Sequence, residues 1–426
     1  MHFSSELPYD LHNAVRNTFA LVLAGGRGTR LMALTDDEAK PAMPFAGKFR
    51  IIDFPLSNCI NSGIRQMAVL TQYKAHTLIQ HIQRGWGFLR AEINEFVELW
   101  PAQQQLDSGS WYLGTADAVF QNLSLLRSRA PKYVLILAGD HIYKQDYSKL
   151  LAHHIETKAD VTVSCIDVPL KDATGFGVVH VDENDVITEF LEKPAHPPCI
   201  PDRPDHAFAS MGIYIFNAEV LFDWLERDAI DDSSSHDFGK DIIPALVRRG
   251  KVVAHRFGDS CVSCAVPRAG AEPYWRDVGT LDAYWAANID LTTVTPELDL
   301  YDNTWPIWTY QVQKPACKFV FDDDERRGMA VDSVLSAGCV VSGGTVRRSL
   351  LFSCVRVNSY TLIEDTVVLP NTDIGRHCRL RKAVVGTGCN IPEGLVVGED
   401  PALDAKRFYV TEGGVTLITA PMLARL

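Results

Sequence analysis

The residues of this chain best suited to chemistry are a glycine-rich loop, several cations and two carboxylates. The run Leu23-Ala-Gly-Gly-Arg-Gly-Thr-Arg-Leu31 sets Gly25, Gly26 and Gly28 beside Arg27 and Arg30. Glycines let the backbone turn tightly and bring N–H groups up to phosphate oxygens, and arginines add charge-assisted donors. No Gly-Lys-Ser/Thr follows, so this is not a Walker loop, and the spacing does not fit Gly-x-Gly-x-x-Gly either. Such a loop taken alone serves equally well as a tight turn. Lys40-Pro41, ten residues past Arg30, adds a further cation.

Asp140 lies in Ala138-Gly-Asp-His-Ile-Tyr143, just after the apolar run Tyr133 to Leu137. That is where a metal-bound phosphate would lie, since Mg²⁺ takes one or two carboxylates, waters and phosphate oxygens. The same residue would also serve as a cap for a following helix. Asp277, in Tyr274-Trp-Arg-Asp-Val-Gly-Thr280, is the second carboxylate, and only the fold decides whether it meets the first. Glu192-Lys193-Pro194 closes the apolar stretch Val186 to Leu191. Lys193 suits a phosphate monoester and Glu192 suits sugar hydroxyls, although the two also read as an exposed surface pair. Trp111 to Asp117 and Ser210 to Tyr214 offer hydroxyls and close backbone approach, which singly are more often structural.

These residues need elements to position them. Phe19 to Leu23, Met67 to Leu70 and Tyr133 to Leu137 read as buried strands, and Ala75 to Arg84 and Ala116 to Arg129 as helices. The alternation implies an α/β fold with a parallel sheet, helices on both faces and ligands at the carboxyl ends of the strands. The texture changes near residue 293. Thr295 to Pro315 holds three prolines and Trp305-Pro306-Ile-Trp308, which reads as a linker pinned to a surface. Beyond it apolar residues recur every six positions: Val334, Val340, Val346; Leu362, Val368, Ile374, Leu380; Val385, Ile391, Val397. That period fits a parallel β-helix with three short strands per coil, the alternative being a run of short antiparallel strands. The expected division is 1–293, a linker at 294–318, and a coil at 319–426 whose exposed faces suit self-association.

The chain has 426 residues, 46% hydrophobic, and a net charge of -12, with 10 scattered cysteines. This argues against disorder and against a general nucleic-acid or anionic-membrane binder. Cys261-x-x-Cys264 has no second pair at zinc spacing, so reduced cytosolic thiols are expected. Met1 to Asn17 is polar and broken by Pro8, so no signal peptide is expected, and no long uncharged apolar stretch suggests a membrane span.

Several motifs taken together resemble the sugar-1-phosphate nucleotidyltransferases. Leu23 to Leu31 followed by Lys40-Pro41 is similar to their signature. Phe49 to Phe54, Leu56 to Gly63, Gln80 to Trp86, Gly139 to Lys144, Ser235 to Asp241 and Glu272 to Gly279 resemble the bacterial branch that forms ADP-glucose. The likeness runs from about Thr18 to the C-terminus. It implies a Rossmann-like catalytic domain with a mostly parallel mixed sheet, followed by a left-handed parallel β-helix used for regulation and oligomerisation. It further implies Mg²⁺-dependent joining of ATP and glucose 1-phosphate to give ADP-glucose and pyrophosphate, toward bacterial glycogen, in a cytoplasmic homotetramer controlled by small anionic metabolites. On that resemblance Arg30 and Lys40 hold the triphosphate and act with Asp140 in catalysis. Leu23, Gly25, Gly26, Gln72 and Gln104 contact the nucleotide, and Asp140 and Asp277 carry the metal. Lys193 binds the sugar phosphate, and Tyr112, Gly177, Glu192, Ser210 and Asp237 line the sugar site.

The sequence departs from the members driven by fructose 1,6-bisphosphate. Those carry a basic pair where this chain has Thr35-Asp-Asp-Glu38, and an arginine where it has Ala420. A bisphosphate would be repelled by Asp36, Asp37 and Glu38. Ser128, Asn371 and Thr387 stand where charged AMP contacts would be, and Arg50 is retained. A different small anion, such as pyruvate, fructose 6-phosphate or phosphate, is expected to use Arg50, Arg376, Arg379 and Arg381. Three rivals are a uridylyl- or thymidylyltransferase, a catalytically silent subunit, and an acyltransferase working through His377.

Overall fold

The computed structural model describes residues 9–25, 29–36, 38–72, 74–102, 111–200, 203–262, 272–323 and 326–426. Gly26, Arg27, Gly28, Asp37, Gln104 and Cys264 lie outside the described residues. Apolar runs build the first sheet. In β1 (Thr18–Ala24) the alternation of side chains sends Phe19 and Leu21 into one core and Ala20 and Val22 into the core on the opposite face. β1, β2 (Gln66–Thr71), β3 (Phe96–Pro101) and β4 (Tyr133–Ala138) run parallel in the order β3-β2-β1-β4. Both faces are covered, as parallel strands require.

The nine-stranded sheet continues beyond β4 with antiparallel pairings, except that its last strand, Val252–Arg256, runs parallel to Val161–Pro169. β5 (Val161–Pro169), the hairpin β6 (Gly177–Val181) and β7 (Ile187–Glu192), the long β8 (His206–Asn217) and β9 (Val252–Arg256) make up this half. β5 lies along one edge of β8. On the other edge, Ile213 to Asn217 pair with β4, whereas Phe208 and Ala209 pair with β6. The register of β8 against β5 shifts between Ser210 and Tyr214. Ser210, Met211 and Gly212 therefore lie where β8 changes neighbours, and the sheet opens there beside the carboxyl end of β4.

The helix expected over 75–84 is observed at His76–Gly85. The single helix expected over 116–129 is instead two, Thr115–Phe120 and Leu123–Ser128. At the break, the Asn122 side chain donates back to Ala118 O (2.8 Å) and across to Tyr112 Oη (3.0 Å). The linker is pinned along helix Asp53–Asn61: Trp305 Nε1 donates to Asn58 Oδ1 (2.9 Å), Trp308 N to Ser57 Oγ (2.8 Å) and Thr309 Oγ1 to Asp53 Oδ2 (2.6 Å).

The C-terminal part is a left-handed parallel β-helix with three sheets of short strands. One sheet, running from Val334–Leu335 through Leu350–Leu351, Val367–Val368 and Ala383–Val385 to Thr416–Ile418, faces the catalytic half. Its Leu350, Val367, Val384 and Leu417 share a core with Phe45, Phe54, Tyr284 and Leu281. Val357, Ile374 and Ile391 stack at intervals of 17 residues, one short of three hexapeptides. The inward column consequently runs Val341, Val346, Leu351, Val357, Ile363, Val368, Ile374, Leu380, Val385, Ile391, Val397, all buried. Val334, Val340 and Leu362, expected in that column from a strict six-residue period, are only half-buried because the coils are 16 or 17 residues long rather than 18.

Candidate active site

The two carboxylates meet because of a small antiparallel pairing. Strand Trp275–Arg276 lies against Ile142–Tyr143, with Arg276 opposite Ile142. This seats Asp277 beside the turn that follows β4, where Asp140 sits. Lys40, on the short 3-10 helix Lys40–Ala42, reaches both. Its Nζ donates to Asp277 Oδ1 (2.7 Å), Asp277 O (2.6 Å) and Asp140 Oδ2 (3.0 Å). Only 5% of the Lys40 side chain is exposed, so its charge reaches the cavity through those carboxylates. His141 Nε2 lies 3.6 Å from Asp140 Oδ1 and 3.7 Å from Asp277 Oδ1.

Burial works to raise the carboxyl of Asp140, but the positive charge of His141 and Lys40 outweighs it and holds the group below the ordinary carboxylate range. Burial also depresses the His141 imidazole, against the pull of Asp140. Potential ligand atoms of Asp140, His141 and Asp277 lie within 4.8 Å of one another. Two neighbouring carboxylates suit a hard cation such as Mg²⁺, and the imidazole suits it less. Asp140 does not cap a helix: the next residues enter strand Ile142–Tyr143.

A cavity of about 750 Å³ brings together most of the expected residues. Leu23, Gly25, Arg30, Gln72, Tyr112, Asp140, Gly177, Glu192, Lys193, Ser210, Asp237 and Asp277 all line it. Arg30 is 70% exposed, its Nη2 3.6 Å from Asp277 Oδ2. Gln72 Nε2 donates to Tyr112 O (3.3 Å), joining the loops after β2 and before helix Thr115–Phe120. Burial raises the Tyr112 phenol, which is a neutral hydroxyl at physiological pH.

On the other side, Lys193 holds a φ of 48°, a conformation most side chains avoid; its side chain is 61% exposed and its ammonium lies 3.2 Å from Glu192 Oε1. A Cβ on Gly177 would meet Phe190 at 2.8 Å and Glu192 Oε2 at 3.0 Å, so only glycine lets Glu192 sit there. Asp237 caps Phe238–Ile242 by accepting from Gly239 N (2.9 Å) and Lys240 N (3.1 Å), and its other oxygen accepts from Thr115. Ser210 Oγ lies 3.5 Å from Tyr214 Oη at the opening of the sheet.

Residues not singled out from the sequence also contribute. Trp275 packs edge-on against His141 (5.0 Å) and Phe176 (5.3 Å), walling the carboxylates off. Thr115 and Gly239 line the same cavity. The signals that point to them are adjacency alone: His141 follows Asp140, and Trp275 lies two residues before Asp277.

The four arginines expected to bind effectors are carried by different elements. Arg50 Nη1 donates to Ala42 O and lies 3.6 Å from Glu38, within the catalytic half. Arg379 and Arg381 sit on a strand of the β-helix in a different sheet from the one facing that half, and Arg379 pairs with Glu399 at 3.1 Å. Arg376 is exposed in the preceding turn. Among the described residues no hydrogen bond or ion pair joins Arg50 to the other three.

An α/β sheet that opens beside paired carboxylates, with cations at both ends of one cavity and a β-helix behind, defines a nucleotidyltransferase. The nucleotidyl transferase family matches residues 19–294, and the GlmU-like C-terminal hexapeptide family matches residues 315–418. The chain is 68% identical to a glucose-1-phosphate adenylyltransferase of Rhodospirillum rubrum over 99% of both chains. It is 64% identical to that of Paramagnetospirillum magneticum (98% of this chain, 96% of the relative) and 63% to that of Methylobacillus flagellatus (96% and 95%). The chain belongs to the glucose-1-phosphate adenylyltransferases, within the nucleotidyl transferase family. Among the described residues, no helix is long and apolar enough to cross a membrane.

Proposed function

We propose that the protein transfers the adenylyl group of ATP to glucose 1-phosphate, releasing pyrophosphate and forming ADP-glucose, with Mg²⁺ as cofactor. A phosphate oxygen of the sugar phosphate attacks the α-phosphorus in line. The new oxygen–phosphorus bond forms as the bond to the β-phosphate's bridging oxygen breaks, and that oxygen leaves with pyrophosphate. A sugar phosphate is already ionised near neutral pH, so no general base is required, and the work is positioning and charge stabilisation. Bound at Asp140 and Asp277, Mg²⁺ would neutralise phosphate charge. Arg30 and Lys40 offset the triphosphate, while Leu23, Gly25, Gly26, Gln72 and Gln104 receive the nucleotide. Lys193 holds the sugar phosphate, and Tyr112, Gly177, Glu192, Ser210 and Asp237 shape the sugar pocket.

The observation that carries this reading is the shared cavity, with Lys193 and Glu192 lining it together with Arg30, Asp140 and Asp277. The test is pyrophosphate release by purified protein given glucose 1-phosphate, Mg²⁺ and either ATP, UTP or dTTP. Preference for ATP is expected; release with none of the three would overturn the reading.

The reaction is the committed step toward bacterial glycogen, run by a cytoplasmic homotetramer. The division into a catalytic part at 1–293, a linker at 294–318 and a coil at 319–426 suits that assembly. Small anions regulate it through Arg50, Arg376, Arg379 and Arg381. Fructose 1,6-bisphosphate acts weakly, a reading supported by Glu38 already engaging Arg50. An activity assay across pyruvate, fructose 6-phosphate, phosphate and fructose 1,6-bisphosphate tests it; strong activation by the last would overturn it.

A further inference from the structure

The three N–H donors of the Lys40 ammonium have three acceptors: two carboxylate oxygens and a carbonyl, at 2.6 to 3.0 Å. An ammonium so saturated has no donor left for a phosphate. Lys40 therefore cannot hold a triphosphate and keep this arrangement at once. Nor can a metal ion join Asp140 Oδ2 and Asp277 Oδ1 while Nζ sits between those same atoms. Mg²⁺ demands oxygens at about 2.0–2.1 Å, and a second cation at hydrogen-bond distance from both ligands would repel it.

We propose that Lys40 is a resident counter-cation that competes with the metal for the Asp140–Asp277 pair, and that a bound triphosphate draws it off. This rests on the reading of those two aspartates as the metal carriers. In the clasped state the ammonium cancels half of the pair's charge and the site takes metal poorly. An incoming triphosphate offers Lys40 oxygens to which it can transfer its hydrogen bonds. Arg30, exposed and only loosely associated with Asp277, meets the nucleotide first. Once Lys40 has swung away on its flexible four-carbon stem, both carboxylates are free for the ion. Metal thereby binds tightly only where a nucleotide is present to use it. The same exchange keeps the two carboxylates from facing each other uncompensated between turnovers.

The test measures Mn²⁺ binding without nucleotide, by loss of the free-ion paramagnetic resonance signal, in the wild type, Lys40→Met, Asp140→Asn and the double variant Lys40→Met/Asp277→Asn. Lys40→Met is expected to bind at least tenfold more tightly than the wild type, and the double variant, which has lost the added negative charge, is expected to lose that gain. A Lys40→Met protein that folds only when Mn²⁺ is present would support the proposal equally, the ion then standing in for the ammonium. A folded Lys40→Met no tighter than a wild type that itself binds Mn²⁺ would overturn the proposal and leave the metal reading intact. If neither protein binds Mn²⁺ differently from Asp140→Asn, the metal reading falls and the proposal with it.

Discussion

Thr115 Oγ1 donates to Asp237 Oδ2 at 3.0 Å and accepts from Phe238 N at the same distance. One hydroxyl thus joins the loop that carries Tyr112 to the loop that carries Asp237 on the cavity wall. Backbone contacts reinforce the seam, since Ala116 N donates to His236 O at 2.8 Å and a Cβ on Gly114 would fall 2.2 Å from that same oxygen. Thr115 is exposed at the cavity mouth, so its bond to a carboxylate is worth about 1 kcal/mol. Thr115→Val should raise the KM for glucose 1-phosphate about fivefold with little change in kcat, and Thr115→Ser should restore it. A fall in kcat alone, with KM unchanged, would mean that the variant is merely less folded.

Lys193 and Asp140 should fail in different ways. Among the described residues the Lys193 ammonium has only Glu192 as an ion-pair partner, at 3.2 Å, which leaves it able to meet a phosphate. Lys193→Ala should raise the KM for glucose 1-phosphate by two orders of magnitude or so and that for ATP by much less. Asp140→Asn should lower kcat by about a thousandfold or more while the circular dichroism spectrum stays native. Equal effects of Lys193→Ala on both substrates, or a mild loss with Asp140→Asn, would contradict their roles.

The coil offers a matched pair of valines. Val341 is fully buried in the apolar column, and Val340, its neighbour, is half-buried. Val341→Ala should cost roughly 2–3 kcal/mol through lost transfer energy and a residual cavity, and Val340→Ala under about 1 kcal/mol. Chemical denaturation of both variants checks this, and the reverse order would mean the register is wrong. The pair also marks how far the sequence is legible. Recurrence of apolar residues identifies the coil, because each turn must fill one interior. It does not locate the residues dropped from each coil, since Val340 and Val341 are both valines and only strand pairing tells them apart. The catalytic half behaves similarly. Gly25, Arg30, Asp140 and Lys193 stand out by type and by their place at strand ends. Lys40's saturation by Asp140 and Asp277 does not, because it depends on the pairing of Trp275–Arg276 with Ile142–Tyr143. The coil sheet on which Arg379 and Arg381 lie was equally hidden, as charge alone does not say which face of the coil turns toward the catalytic half.

Acid should destabilise the fold through two buried histidines. Burial pushes His255 down to about 3, helped by the nearby positive charge of His153 and Lys149. Burial pushes His154 down to about 4, with its bond to Asn217 and the charge of Asp160 opposing and that of His153 assisting. Both are held neutral, His255 Nε2 lying 2.9 Å from Ser260 Oγ and His154 Nδ1 2.8 Å from Thr162 Oγ1. In the unfolded chain the same groups take protons near pH 6.5. Below that pH the unfolded state binds more protons than the native one, so stability is complete above pH 6.5 and falls steadily toward pH 4. At pH 5 the loss is about 2 kcal/mol for each group. His236 does not mask this: its bond to Asp228 raises it, so its contribution is already complete below pH 6.5. The carboxylates held low, such as Asp241 and Asp302, lose theirs only as pH falls below about 4. His255→Gln should therefore flatten the decline of Tm between pH 6.5 and 4.5 by about half, leaving the His154 share. A decline as steep as the wild type's would show that His255 is not held neutral in the native protein.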